Sequence, residues 1–336
     1  MNEIDAVTTS GTLRIAGTAT APGSAAGAEL PLLGRLFVQP NFRLLLALLA
    51  GTLILDAIAL CSLDLTLTGL DRVVLMTPVA GTVALAHRLS LKPASSSKRL
   101  WGKVSVSIFC LCLLTVISLA AVVLQDAAIA ARFSLVDERL AQIDAALGFH
   151  WPSAYLWLKA HPRTFEVLSL CYQFHGLQAT MIPVLLACAY RMDDLADYLL
   201  LFGATVVLAV LISMTIPASN PHIYFRLVRA YDASEWSQFA TLRDGTQRVI
   251  NLSDNQGLIS LPSLHAAHAV VFVYVTRHLR GWNVGFAVVN VVMTIAAVPC
   301  GGHYLVDILA GIALALVVIW ALRRMSLRRN LALHPS

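Results

Sequence analysis

The sequence predicts an all-α fold: a polytopic membrane bundle of about eight transmembrane helices. Three observations carry that expectation. Hydrophobic residues make up 58% of the 336 residues and charged ones only 13%, with a mean hydropathy of +0.74, all far from soluble averages. Apolar runs recur near 44–63, 73–89, 104–124, 166–190, 198–217, 262–279, 284–299 and 304–322, each about long enough to cross a bilayer at helical rise. The second and seventh runs are the shortest. Between them the basic residues cluster as they do in chains oriented by their loops.

Taken in order, residues 1–40 are rich in Gly, Ala, Thr and Ser without an early apolar core. They read as a disordered cytoplasmic tail rather than a secretory signal. The loop after the second run holds Arg88, Lys92, Lys98, Arg99 and Lys103; the turn after the sixth has Arg277 and Arg280; the tail has Arg323, Arg324, Arg328 and Arg329. With eight spans these three segments share one side, and the positive-inside rule makes it cytoplasmic, with both termini. The long loops at about 125–165 and 218–261 then face outward, with balanced charge. In the second, Arg226, Arg229, Arg243 and Arg248 offset Asp232, Glu235, Asp244 and Asp254. The net charge of +5 therefore needs no nucleic-acid partner. The six cysteines (Cys61, Cys110, Cys112, Cys171, Cys188, Cys300) are scattered through apolar runs without metal-ligand spacing.

Two stretches carry the chemistry: Leu261-Pro262-Ser263-Leu264-His265 and Gly301-Gly302-His303-Tyr304-Leu305-Val306-Asp307. Each opens a long apolar run, where ionisable groups are rare and tend to be functional. His303 and Asp307 are four apart, on one helix face and within pairing reach. A carboxylate beside an imidazole fixes its tautomer, as a nucleophilic or general-base histidine requires. His265 supplies a second acid/base group, and phosphoryl transfer is the reaction that most naturally uses the set. Pro262 suits a first helical turn, with Ser260 or Leu261 as the expected cap. Ser263, Leu264 and His265 would then offer N–H groups at the positive end of a helix dipole, an anion site suited to phosphate. Gly301 and Gly302 would let the backbone approach that phosphate closely.

The pair Pro-Ser-x-His and His-x-x-x-Asp resembles the second and third signatures of the type 2 phosphatidic acid phosphatase superfamily. Residues Ser260 to Ala269, with His303-Tyr304, look closer to the branch containing fungal inositol phosphorylceramide synthase. The stretch Ile143-Asp144-Ala145-Ala146-Leu147-Gly148-Phe149-His150-Trp151 is similar to the segment preceding a core helix in bacterial members. The resemblance spans about 137–322. With the apolar runs it gives N-terminal membrane helices over 41–124, a phosphatase-like catalytic membrane domain over 125–325 built on the last five or so helices, and a cytoplasmic tail over 326–336. The basic loops then give a multi-pass protein of the inner (cell) membrane with its site facing the periplasm or exterior. The partners implied are a lipid phosphate and membrane lipids, with no cofactor and no metal. In the implied mechanism His303 attacks phosphorus, Asp307 orients it, and His265 protonates the leaving oxygen. Water or an alcohol deprotonated by His265 then resolves the phosphohistidine.

The chain departs from the phosphatase pattern where Ser-Arg would precede the nucleophilic histidine: it has Ala296-Ala297. The upstream Lys-x6-Arg-Pro signature has no clean match either. Phosphate needs positive charge in the transition state, so replacements are expected among Arg226, Arg229, Arg243, Arg248, His222 and His175. His175, with Tyr172 and Gln178, forms a polar stripe inside an apolar run that suits an interhelical network equally well. His268, one turn after His265, reads as a packing group. Outside the family, a proton-relay transporter and a metal hydrolase using the two histidines and the aspartate remain open, and within it a non-catalytic lipid-phosphate binder.

Overall fold

The computed structural model describes residues 30–71, 76–91, 97–227, 238–253 and 256–333. The segment expected to be disordered lies outside them up to residue 29, but its end is ordered. α1 (Leu32–Val38) buries Leu32 and Leu36 against the bundle, so apolar burial overrides the tail's small, polar composition there. The remaining elements are α2 (Pro40–Ser62), β1 (Thr66–Thr68), α3 (Met76–Ser90), α4 (Lys98–Ala130), α5 (Asp137–Ala146), α6 (Trp151–Lys159), α7 (Pro162–Cys188) and α8 (Met192–Thr215). There follow α9 (Pro221–Tyr224), α10 (Phe239–Asp244), β2 (Val249–Asn251), α11 (Leu264–Thr276), α12 (Asn283–Gly301) and α13 (Leu305–Leu333).

All eight expected apolar runs are helical where described: α2, α3, α4, α7, α8, α11, α12 and α13. Five of them (α2, α4, α8, α12, α13) are long and apolar enough to cross a membrane. The other three fall short for physical reasons. α11 has 13 residues and the described part of α3 has 15, under the roughly 20 a bilayer core needs. α7, at 27 residues, is diluted by its polar stripe. α4 continues past 124 to Ala130, and α13 continues past 325 to Leu333.

The core gathers at α4, α8 and α11, where Tyr198, Phe42, Phe272 and Leu199 are fully buried. Polar groups sort to the two ends. At one end Asn41 Nδ2 donates to Asp197 (2.6 Å), Arg329 Nη2 donates to Asn41 Oδ1 (2.6 Å), and Arg277 pairs with Asp194 (3.4 Å). The basic tail thus meets the starts of α2 and α8. At the other end β1 pairs in parallel with β2, Thr66 opposite Val249, which ties the turn after α2 to the loop that leads into Pro262. One close approach positions the site. A Cβ on Gly311 would collide with the Ser263 carbonyl, so only glycine lets α13 lie against the start of α11.

Candidate active site

The two motif histidines meet where α11 and α13 begin. Ser263, in extended conformation, is the N-cap of α11, its Oγ accepting from Ala266 N at 3.4 Å. This corrects the expected cap: Pro262 lies outside the helix, and the Ser263 hydroxyl oxygen does what a Leu261 side chain cannot. The Ser263 N–H is already bonded to Asp307 O (3.0 Å). The anion-facing amides of this end are therefore those of Leu264 and His265.

α12 ends at Gly302, whose left-handed conformation (φ 63°) turns the chain so that His303 faces back into the bundle. Both glycines make room for side chains: a Cβ on Gly301 would press on Tyr172 and His303, and one on Gly302 on His222. His303 is buried, and its Nδ1 lies 2.9 Å from the Ser260 carbonyl and 3.6 Å from Asp307 Oδ2. Both neighbours only accept, so Nδ1 is the nitrogen that carries a hydrogen toward them. Asp307, wholly buried, accepts from Ser260 Oγ (2.7 Å) and Tyr304 N (2.9 Å). Its other oxygen has no partner among the described residues.

The segment after residue 137 braces this turn. Asp144 accepts from Leu305 N (2.8 Å) and Val306 N (2.9 Å), so with Asp307 it satisfies the first amides of α13. Burial pushes the Asp144 carboxyl up, the two amides pull it down, and the Asp307 charge pushes it up again. The Trp151 indole donates to the His303 carbonyl (2.9 Å). Asp137 receives Tyr304 Oη (3.0 Å) and Ser219 N (2.9 Å), fixing the approach to α9.

His265 lies 6.3 Å from His303, centroid to centroid, and stacks on Tyr172 at 4.0 Å. His175 leans on His265 at 4.6 Å and shares a 2.7 Å hydrogen bond with His268, so the polar stripe of α7 does form an interhelical network. Gln178 extends it by accepting from Asn290 Nδ2 at 2.7 Å. Ala296 and Ala297 are fully buried, so no arginine fits there.

Of the other expected phosphate ligands, His222 packs edge-on to Trp151 and Tyr155, each at 4.8 Å. Arg226 is exposed one turn later, and Arg229 lies outside the described residues. Arg243 donates to Phe133 O, and Arg248 to Leu63 O at 3.1 Å, main-chain positions rather than the histidines. A cation that sequence reasoning missed, Lys159, sits over the Tyr155 ring at 5.5 Å. Its spacing from the motifs gave no signal. Burial first, and the Lys159 charge after it, hold His222 down to about 4 despite a bond to the Pro299 carbonyl.

That fixes a pH dependence. A histidine held below its ordinary 6.5 contributes stability present above that value and lost as pH falls toward 4, because the unfolded chain binds the proton first. The thermal midpoint should fall between pH 6.5 and 4, and less so in His222→Asn. Parallel curves for the two proteins would contradict this.

The PAP2 superfamily model matches residues 138–321, more than half of the chain. The chain belongs to the PAP2 superfamily. The matched segment runs from α5 into α13 and contains Ser260, Asp307, Trp151 and Asp144, the groups bonded to His303 and to the start of α13. Membership points to a phosphatase or phosphotransferase of lipid phosphates, an enzyme in that coarse sense, and the apolar helices agree with a membrane protein. No curated protein and no solved structure matches the chain.

Proposed function

We propose that this protein transfers the phosphoryl group of a lipid phosphate ester through a phosphohistidine on His303, without a metal. The observation that carries the reading is the 2.9 Å contact of His303 Nδ1 with the Ser260 carbonyl. With Nδ1 so held, Nε2 is the nucleophile, beside the start of α11 where the Leu264 and His265 amides and the Ser263 hydroxyl favour an anion. As Nε2 attacks phosphorus, the ring gains positive charge, which Asp307 and the Ser260 carbonyl stabilise. His265 gives its proton to the departing lipid oxygen. The same nitrogen then takes a proton from water or an alcohol, which attacks the phosphohistidine and frees Nε2.

The basic segments of one bundle end support cytoplasmic termini, a multi-pass chain in the inner (cell) membrane and a site at the outward face. Arg226 and Lys159 are the candidate counter-charges. Alanines where the phosphatase pattern has Ser-Arg favour head-group transfer of the inositol phosphorylceramide synthase kind over simple hydrolysis.

Purified protein given labelled phosphatidic acid, sphingoid phosphates, polyprenyl phosphates or phosphatidylinositol, with and without ceramide or diacylglycerol, should move phosphate to water or to a lipid alcohol. Activity should survive excess EDTA, and vanadate, which mimics five-coordinate phosphorus, should inhibit. Loss in EDTA with recovery on zinc would contradict the mechanism.

A further inference from the structure

A lined groove beside the site has no role in the chemistry above. It lies among α6, α7, α12 and the start of α13 and encloses about 400 Å³, within the roughly 300–1,000 Å³ of ligand pockets. Trp151, Ala154, Thr294, Pro299, Leu305 and Ile308 line it with Tyr155, a mostly apolar wall in which the Thr294 hydroxyl is turned onto its own helix (Thr294 Oγ1 to Asn290 O, 2.7 Å). Its rim carries Trp157 on α6 and Ile295 on α12, 58% and 59% exposed, and α12 is one of the helices long and apolar enough to cross a membrane. Its inner end is continuous with the catalytic turn: the Trp151 indole that walls it donates to the His303 carbonyl, and Leu305 follows two residues after His303. Tyr155, also in the wall, carries Lys159 over its ring, which puts a cation beside an apolar channel. A chain of carbon with a phosphate at one end matches both features.

We infer that this groove holds one hydrocarbon tail of the lipid whose phosphate is at His303, with Lys159 beside the head group. The inference rests on the lipid-phosphate reading above, yet binding can be tested without turnover. Purified protein is mixed with a phosphatidic acid carrying a diazirine at the end of one acyl chain, irradiated, digested and mapped. Labelling should concentrate in peptides containing Ala154 and residues 294–308. It should be competed by dioleoyl phosphatidic acid but not by dioleoyl phosphatidylcholine, and drop at least about fivefold in Thr294→Trp and in Ala154→Phe, as an added side chain blocks an apolar pocket. Two filling variants guard against one that fails to fold. Label spread evenly over lipid-facing helices such as α2, or competed equally by both lipids, would overturn the groove. Specific labelling without phosphate transfer from any lipid would leave the groove standing and remove the catalytic reading instead.

Discussion

His303→Ala should lose turnover by more than about 10⁴-fold, because it removes the nucleophile and not merely a proton carrier. Its fold should survive. The bonds that hold the turn at residue 303 are made by the backbone, through Trp151 on the carbonyl and Val298 O on the amide (3.2 Å). The side chain itself contributes one hydrogen bond, to Ser260 O. Steady-state rates alongside thermal midpoints in detergent check this, and a near-wild-type rate in a folded variant would remove the mechanism.

The second large effect is expected at His265. His265→Ala should slow the reaction by about 10²–10⁴, the usual contribution of a positioned general acid or base. The signature is in its substrate dependence. A lipid alkoxide leaves poorly without a proton, whereas a nitrophenolate leaves unaided, so the deficit should shrink markedly with p-nitrophenyl phosphate. A structural role, in which the ring only fills space between Tyr172 and His175, would lower both substrates equally.

The fold was legible because hydrophobic runs report membrane helices with little ambiguity. α7, long enough but too polar for a full span, falls short because of interactions no single run records. α7 carries Tyr172, His175 and Gln178 in its apolar face since His265, His268 and Asn290 answer them from α11 and α12. The site was legible to the depth of local spacing. His303 and Asp307 at four apart do converge, but the nearer partner of His303 is the Ser260 carbonyl, 43 residues away, and a main-chain acceptor leaves no mark in side-chain patterns. Asp144 lies 161 residues from Leu305; only the resemblance of its surrounding segment hinted at importance, not its job. The cap of α11 was misplaced by two or three residues because Pro262 suits N1 in general, while here the serine after it has the side-chain oxygen. Lys159 was invisible because it reaches the region through the fold of α6 across Tyr155.

The central claim is a covalent bond between His303 and phosphorus, and trapping it is the most direct test. The protein is mixed with whichever ³²P-labelled lipid phosphate it turns over, quenched in alkali within milliseconds, digested without exposure to acid and mapped by mass spectrometry. The account predicts alkali-stable, acid-labile phosphate on Nε2 of His303, absent from His303→Ala. Phosphate on another side chain, or product formed at full rate by His303→Ala, would contradict it.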